Sequence, residues 1–242
     1  MLKIKKRIGV LESTTSGIDS PDECLDKDHF LNYAKDISYT YNSKGFRDDE
    51  WPEDLSDVIW CVGDSFTVGV GQPFKETWSQ VLESKLGKRC INIGEDGCSN
   101  DMIQLRVNEI IRNYNPRLIV VMWSYLHRRF VNTENVHSDK NDFGPDKDLE
   151  NFVKNYNLCK SEQTKIVHSI IPGAGTNSNP NEADNILKYV LKKKYDIQDL
   201  IVFPQLDYAR DYHHFDIKTS ELATDLLIKK INTIDNKSKY PI

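Results

Sequence analysis

Short, continuous apolar runs separated by apolar stripes at helical spacing constrain this chain more than any other feature. Val58-Ile59-Trp60-Cys61-Val62 is stopped by Gly63, and Leu118-Ile119-Val120-Val121-Met122-Trp123 is a second run of the same kind. Neither alternates between apolar and polar residues, so each reads as a strand buried on both faces. Between them, Phe74, Trp78, Val81, Leu82 and Leu86 form a helical stripe, Cys90 to Ile93 is strand-like, and Met102, Ile103, Val107, Ile110, Ile111 and Tyr114 form another stripe closed by Asn115-Pro116. Further along, a helix is predicted near Leu149 to Cys159, a strand at Lys165 to Ile171, a helix near Glu182 to Lys193, a strand at Leu200 to Phe203 and a last helix from about Lys218 to Ile234. Strands alternating with helices predict an α/β layer fold with a parallel sheet and right-handed crossovers.

The polar stretch Tyr125 to Lys147 interrupts this alternation and is longer than ordinary connections, so it reads as a lid or substrate-binding loop. Residues 1–56 are polar and poorly periodic. Too few apolar residues lie there for an independent core, so they are expected to form a lead-in packed on one domain spanning 57–242.

Composition removes several classes of function. Lys and Arg total 32 against 37 Asp and Glu, a net charge of −5, so nothing pulls the chain globally toward nucleic acid. The apolar runs are far shorter than the ~20 residues a bilayer crossing needs, and the stretch Ile8 to Leu11 is too short for a signal-peptide core. No membrane segment and a cytoplasmic location are therefore expected. The five cysteines are widely spaced with no C-x-x-C pair, and they read as free thiols.

In a parallel sheet, ligands bind beyond the carboxyl ends of the strands, so the residues just past each strand carry the functional reading. After the first comes Gly63-Asp64-Ser65-Phe66-Thr67, where Gly63 permits a sharp departure and Ser65 sits where backbone N–H groups favour developing negative charge. Asp64 and Ser65 also suit a simple turn cap, and both roles stand open on this segment alone. After the second comes Asn92-Ile93-Gly94-Glu95-Asp96-Gly97-Cys98-Ser99-Asn100, in which a free N–H at Gly97 would suit an oxyanion, or Ser99 or Asn100 a helix cap. Near the C-terminus, Asp211-Tyr212-His213-His214-Phe215-Asp216 puts an Asp three residues before a His. That spacing lets a carboxylate orient an imidazole whose other nitrogen faces a serine, while Asp216 alternatively caps the last helix. Adjacent histidines of an extended segment point apart, so no metal site is expected. Arg47, Arg128 and Arg129 read as solvated surface charge, with an acidic substrate as the alternative.

Taken together and in order, Gly63-Asp64-Ser65-Phe66-Thr67, Asn92-x-Gly94-x-x-Gly97 and Asp211-x-x-His214 resemble the SGNH (GDSL-type) hydrolase superfamily. Asn42-Ser43-Lys44-Gly45-Phe46-Arg47 is similar to the N-x-x-G-F-R lead-in of many bacterial members, and the resemblance runs from about residue 38 to 230. It implies a three-layer α/β/α fold with a five-stranded parallel, flavodoxin-like sheet. It further implies hydrolysis of a small acyl ester, most plausibly an O-acetyl group on a carbohydrate, without cofactor, metal, nucleic acid or membrane partner. By position, Ser65 is the implied nucleophile, His214 the base and Asp211 its orienter, with the oxyanion held by the N–H groups of Ser65 and Gly97. The family's third block carries an Asn whose side chain is a further oxyanion donor. Here that strand end reads Met122-Trp123-Ser124-Tyr125-Leu126-His127-Arg128-Arg129, without an Asn. Ser124, Tyr125, His127 and Arg128 are the candidates to replace it. A second reading, in which the fold is kept as a carbohydrate-binding or structural module with weak or no catalysis, or as an O-acyltransferase, follows from that gap.

Overall fold

Burial on both faces is what makes the predicted strands a central sheet. In the computed structural model, which describes residues 12–15, 37–131, 134–137, 144–174, 180–211 and 213–237, β3 (Ile59–Val62) and β5 (Leu118–Trp123) are buried at every position. These follow a two-stranded antiparallel pair, β1 (Glu12–Thr15) and β2 (Ile37–Thr40), that precedes the sheet. β4 (Cys90–Asn92) lies on one side of β3, and β5, β8 (Lys165–Ile170) and β9 (Ile201–Val202) follow in turn on the other. All four pairings are parallel, with Ile59 opposite both Cys90 and Leu118 and with Leu118 opposite Lys165. Chain order is thus 2-1-3-4-5 across the sheet, the flavodoxin-like arrangement.

Six helices are described. A single turn, α1 (Ser65–Val68), leaves β3 directly, and α2 (Trp78–Leu86) follows a short 3-10 turn at Phe74–Glu76. Then come α3 (Asn100–Tyr114), α4 (Gly144–Leu158), α5 (Pro180–Tyr195) and α6 (Ile217–Lys237). Local chemistry sets the helix ends. Ser99 caps α3 by accepting from the Met102 N–H, and Asn115 ends it in the left-handed conformation just before Pro116. α2 and α6 pack together while α3 packs on α4, leaving the sheet between two helical layers. The core between them is dense in large side chains, with Trp60, Trp78, Trp123, Phe66, Phe152, Phe203 and Phe215 all fully buried. Burying each comparable apolar side chain contributes roughly 1.5–3 kcal/mol, which is why the interrupted polar segments do not set the fold.

The polar stretch differs from its reading as a loop. It holds the antiparallel hairpin β6 (Arg128–Val131) and β7 (Glu134–His137), with Arg128 opposite His137, and α4 already begins at Gly144; positions 132–133 and 138–143 lie outside the described residues. Arginines occupy the buried positions where a strand usually carries apolar residues, so no apolar pattern marked the hairpin. Of the lead-in, residues 1–11 and 16–36 lie outside the described residues, whereas Ile37, Tyr39 and Phe46 are buried.

Asp48 illustrates what this burial does to charge. Its carboxylate is fully enclosed, pairs with Arg89 at 2.7 Å and accepts from the Asn92 N–H at 3.2 Å. Burial, only partly offset by Arg89, lifts its pKa from 3.8 to about 6. The folded chain therefore keeps a proton that the unfolded chain releases earlier, and this contribution to stability is full below pH 3.8 and lost as pH rises through 6. In urea titrations, Asp48→Asn is expected to flatten the pH dependence of unfolding free energy over that window by roughly 3 kcal/mol.

Candidate active site

Gly63 ends β3 where a side chain would not fit. A Cβ there would stand 2.1 Å from Thr67 Oγ1 and 2.8 Å from the Met122 carbonyl, so only glycine lets the chain turn straight from strand into α1. Asp64 caps that helix, accepting from the Phe66 N–H at 3.1 Å through Oδ1. The turn-cap reading of Asp64 is thus correct, but it is half of what the residue does. Its other oxygen accepts from Ser124 Oγ at 2.5 Å and from Arg128 Nη1 at 3.0 Å, with the carboxylate fully buried. Ser65 is the first residue of α1 and is itself buried. Its N–H makes no hydrogen bond among the described residues, as expected at a helix start.

Beyond β4, the chain comes so close to α1 that a Cβ on Gly94 would lie 2.5 Å from the Val68 nitrogen. Asn92 fastens this approach, donating from Nδ2 to the Thr67 carbonyl at 2.7 Å and accepting from the Gly94 N–H at 2.9 Å. Glu95 N–H donates to the Gly63 carbonyl at 3.1 Å, and Arg106 of α3 holds the loop by donating to the Ile93 carbonyl at 3.2 Å and pairing with Glu95. Gly97 turns with φ of +71°, and its N–H has no internal partner among the described residues. Burial raises the thiol pKa of its neighbour Cys98, and the charge of Asp64 raises it further.

The third strand end is held differently from the family pattern. Asn100, at the start of α3 and fully buried, accepts from the Ser124 N–H at 2.8 Å and donates to the Ser124 and Tyr125 carbonyls at 3.3 and 3.2 Å. An Asn is therefore present at this edge, but it comes from another block, and its groups are spent on backbone. Arg128 donates from Nη1 to Ser124 Oγ at 3.0 Å as well as to Asp64, and its guanidinium lies 4.9 Å from the centre of the Tyr125 ring. Tyr125 stacks on His127 at 5.4 Å. Burial, followed by the charge of Asp64, pushes the Tyr125 phenol pKa well up, so it stays protonated.

Asp211 and His214 meet as their spacing predicts. His214 Nδ1 is hydrogen-bonded to Asp211 Oδ2, while Asp211 Oδ1 accepts from the His213 and His214 N–H groups at 3.1 and 3.0 Å. Burial opposes the Asp211 charge, but the His214 imidazole and the two N–H donors outweigh it and hold the carboxyl below the usual range. His214 packs on Phe66, with ring centres 4.5 Å apart, and its Nε2 is buried without a hydrogen-bond partner. Phe66 is the residue after Ser65, so the free nitrogen and the serine belong to one edge of the sheet. Gln72 secures the alignment by donating to the Phe215 carbonyl at 2.7 Å, and Arg210 N–H donates to the Gly71 carbonyl at 3.1 Å. Asp216 also caps α6 through Thr219, so the two roles weighed for the acidic residues fall on different ones. The histidines do not point apart, because the segment bends: both rings lie against Phe66, 4.9 Å from each other. Among the described residues no group of three or more His, Cys, Asp or Glu side chains is gathered as a metal would need.

Reading the three arginines as surface charge is incorrect, since Arg47, Arg128 and Arg129 are 1%, 8% and 6% exposed. Arg129 pairs with Asp148 at 2.5 Å, tying the hairpin to α4. Arg47 is the residue whose importance sequence reasoning missed. Asn42 closes its own loop by accepting from the Lys44 and Phe46 N–H groups, and Gly45 supplies the positive φ of +86°. That loop aims Arg47 at the carbonyls of Val68, Gly69, Gln72 and Ser38, with Tyr39 against its guanidinium at 4.2 Å. Arg47 thus binds the open carbonyl end of the helix that begins with Ser65. The lead-in motif itself was the available signal.

No family model matches the chain, and no curated protein sequence matches it. Solved structures do. The crystal structure of TesA is 13% identical with a TM-score of 0.50, over 73% of this chain and 99% of that one. The psychrotrophic esterase EstA from a Pseudoalteromonas species is 18% identical with a TM-score of 0.47, over 75% and 100%. A member of the lipolytic protein G-D-S-L family from Veillonella parvula is 16% identical with a TM-score of 0.46, over 75% and 99%. The likeness to TesA is one of fold, and it includes the parallel sheet described above.

Arg47→Met would leave the buried carbonyls of Val68 and Gln72 without a donor, while the Gly69 carbonyl keeps the Gln72 N–H and Ser38 is exposed. At ~1–3 kcal/mol for each group left unsatisfied, stability in a denaturant titration is expected to fall by at least ~2 kcal/mol. Arg47→Lys, which keeps the charge but loses the fork, should recover part of that loss.

Proposed function

We propose that this chain is a serine ester hydrolase of the SGNH (GDSL-type) superfamily. The observation that carries the reading is His214, whose Nδ1 is held by Asp211 while Nε2 is buried and unpartnered against the residue that follows Ser65. A fixed imidazole with one nitrogen engaged by a carboxylate has a defined tautomer, and the other nitrogen is then an acceptor for a hydroxyl proton.

In this reading Ser65 Oγ attacks the acyl carbon as its proton passes to His214 Nε2. The carbonyl electron pair moves onto oxygen, where the N–H groups of Ser65 and Gly97 receive it. Collapse expels the alcohol, which takes the proton from His214, and leaves an acyl group on Ser65. Water, deprotonated by His214, then releases the acid and restores the enzyme. Asp211 stays ionised throughout and compensates the imidazolium that forms twice per turnover. No part of this cycle draws on a metal or cofactor.

Tyr125, His127 and His213 form ring contacts with one another and with the buried Phe66 that follows Ser65. The half-buried rings of Tyr125 and His127 and the exposed ring of His213, flat with polar tips, suit the face of a sugar, which supports an O-acetylated carbohydrate as the alcohol side of the ester.

Hydrolysis of 4-nitrophenyl acetate tests the reading. Ser65→Ala and His214→Ala are each expected to lower kcat/KM by ~10³-fold or more, and Ser65→Ala to abolish labelling by a fluorophosphonate. Turnover and labelling that persist without Ser65 would overturn it. Because Asp211 is held below the usual carboxylate range, Asp211→Asn should lose activity at every pH assayed from 5 upward instead of shifting an acid limb.

A further inference from the structure

We propose that Arg128 supplies the third oxyanion donor, the role that the missing Asn leaves open, and that its pairing with Asp64 restricts the enzyme to uncharged acyl groups. The inference rests on the ester-hydrolase reading. Its starting point is an imbalance in hydrogen bonding. Arg128 is 8% exposed, yet among the described residues only Nη1 has partners, Asp64 and Ser124. Nε is buried with none, while Nη2 has no partner among the described residues and is not enclosed, so it is open to an incoming acceptor. A buried Nε–H without an acceptor costs free energy unless something occupies it in the working state.

Ser124 gives its hydroxyl hydrogen to Asp64, accepts from Arg128 and gives its N–H to Asn100. Asn100 is spent on backbone. Tyr125 stacks on His127, and no hydrogen bond among the described residues fixes the Tyr125 hydroxyl. Oxyanion stabilisation requires donors already aimed before charge develops, and Arg128 is anchored at two points while keeping donors free. Asp64 joins that anchor to the N-terminus of α1, so the guanidinium is placed one residue from Ser65.

Charge decides between an oxyanion and a substrate carboxylate. Asp64 already neutralises Arg128 at 3.0 Å. A carboxylate on the acyl group would add a lasting negative charge beside Asp64 with nothing to balance it. The oxyanion is transient, and the imidazolium formed on His214 in the same step compensates it. As Ser65 attacks, the carbonyl pair moves to oxygen and accepts hydrogen bonds from Nη2–H or Nε–H, with no proton leaving Arg128.

The test compares wild type, Arg128→Gln, Arg128→Lys and Arg128→Ala on 4-nitrophenyl acetate. Arg128→Gln and Arg128→Ala are expected to lower kcat by ~10²–10³-fold with little change in KM, and to slow fluorophosphonate labelling in parallel. Guanidinium ion added to Arg128→Ala should restore activity in a saturable way that ammonium does not, a readout that a purely structural role would not give. If the smaller side chains prevent folding, Arg128→Lys carries the test, since one ammonium cannot serve both Asp64 and the oxyanion, and the same kcat loss is expected at an unchanged melting temperature. A succinate half-ester should be a poorer substrate than the acetate. Ser65-dependent turnover that survives Arg128→Gln, or a preference for the succinate half-ester, overturns the Arg128 assignment alone. Wild-type turnover that does not depend on Ser65 removes the hydrolase reading instead.

Discussion

A single buried carboxylate, that of Asp64, holds the top edge of this sheet together. One oxygen caps the helix that starts with Ser65, and the other receives Ser124 and Arg128 from the end of the neighbouring strand. An unpaired charge at this depth would be prohibitively unfavourable, so the three partners are a condition for the residue to exist there at all. Because the carboxylate can be satisfied only when β3, β5 and the start of β6 are in register, it couples the placement of the serine to the closure of the sheet.

Around that point the fold works by pinning one short helix from several directions. Arg47 takes its carbonyl end, Asn92 takes the Thr67 carbonyl, and Gln72 ties the segment after it to the stretch that carries His214. The Arg47 and Asn92 contacts are side chains answering backbone groups that a one-turn helix cannot satisfy internally. A helix of Ser65–Val68 has almost no stability of its own. Its geometry is therefore inherited from its surroundings.

The alternating α/β layers were legible because two-sided burial leaves unbroken apolar runs, as in Val58 to Val62 and Leu118 to Trp123, whereas the flavodoxin-like sheet came only with the family resemblance. So was the Asp211–His214 pair, since its geometry follows from three residues of local spacing. The hairpin from Arg128 was not, because its inward positions are arginines matched by carboxylates far along the chain, Asp64 and Asp148. Polarity in a linear string says nothing about whether a charge has a buried partner. Arg47 escaped for the same reason: its partners are main-chain carbonyls, which have no signature in the sequence. The dual use of Asp64 was half legible, as the cap is local and the remaining bonds are not.

The bonds from Gln72 to Phe215 and Ser220 cross 143 and 148 residues of chain. Nothing local in the sequence holds such a pairing in place, so the edge that carries Ser65 is joined by contacts between stretches from opposite ends of the domain. A substitution that removes only these two bonds acts on the seam without touching the apolar side chains of the core.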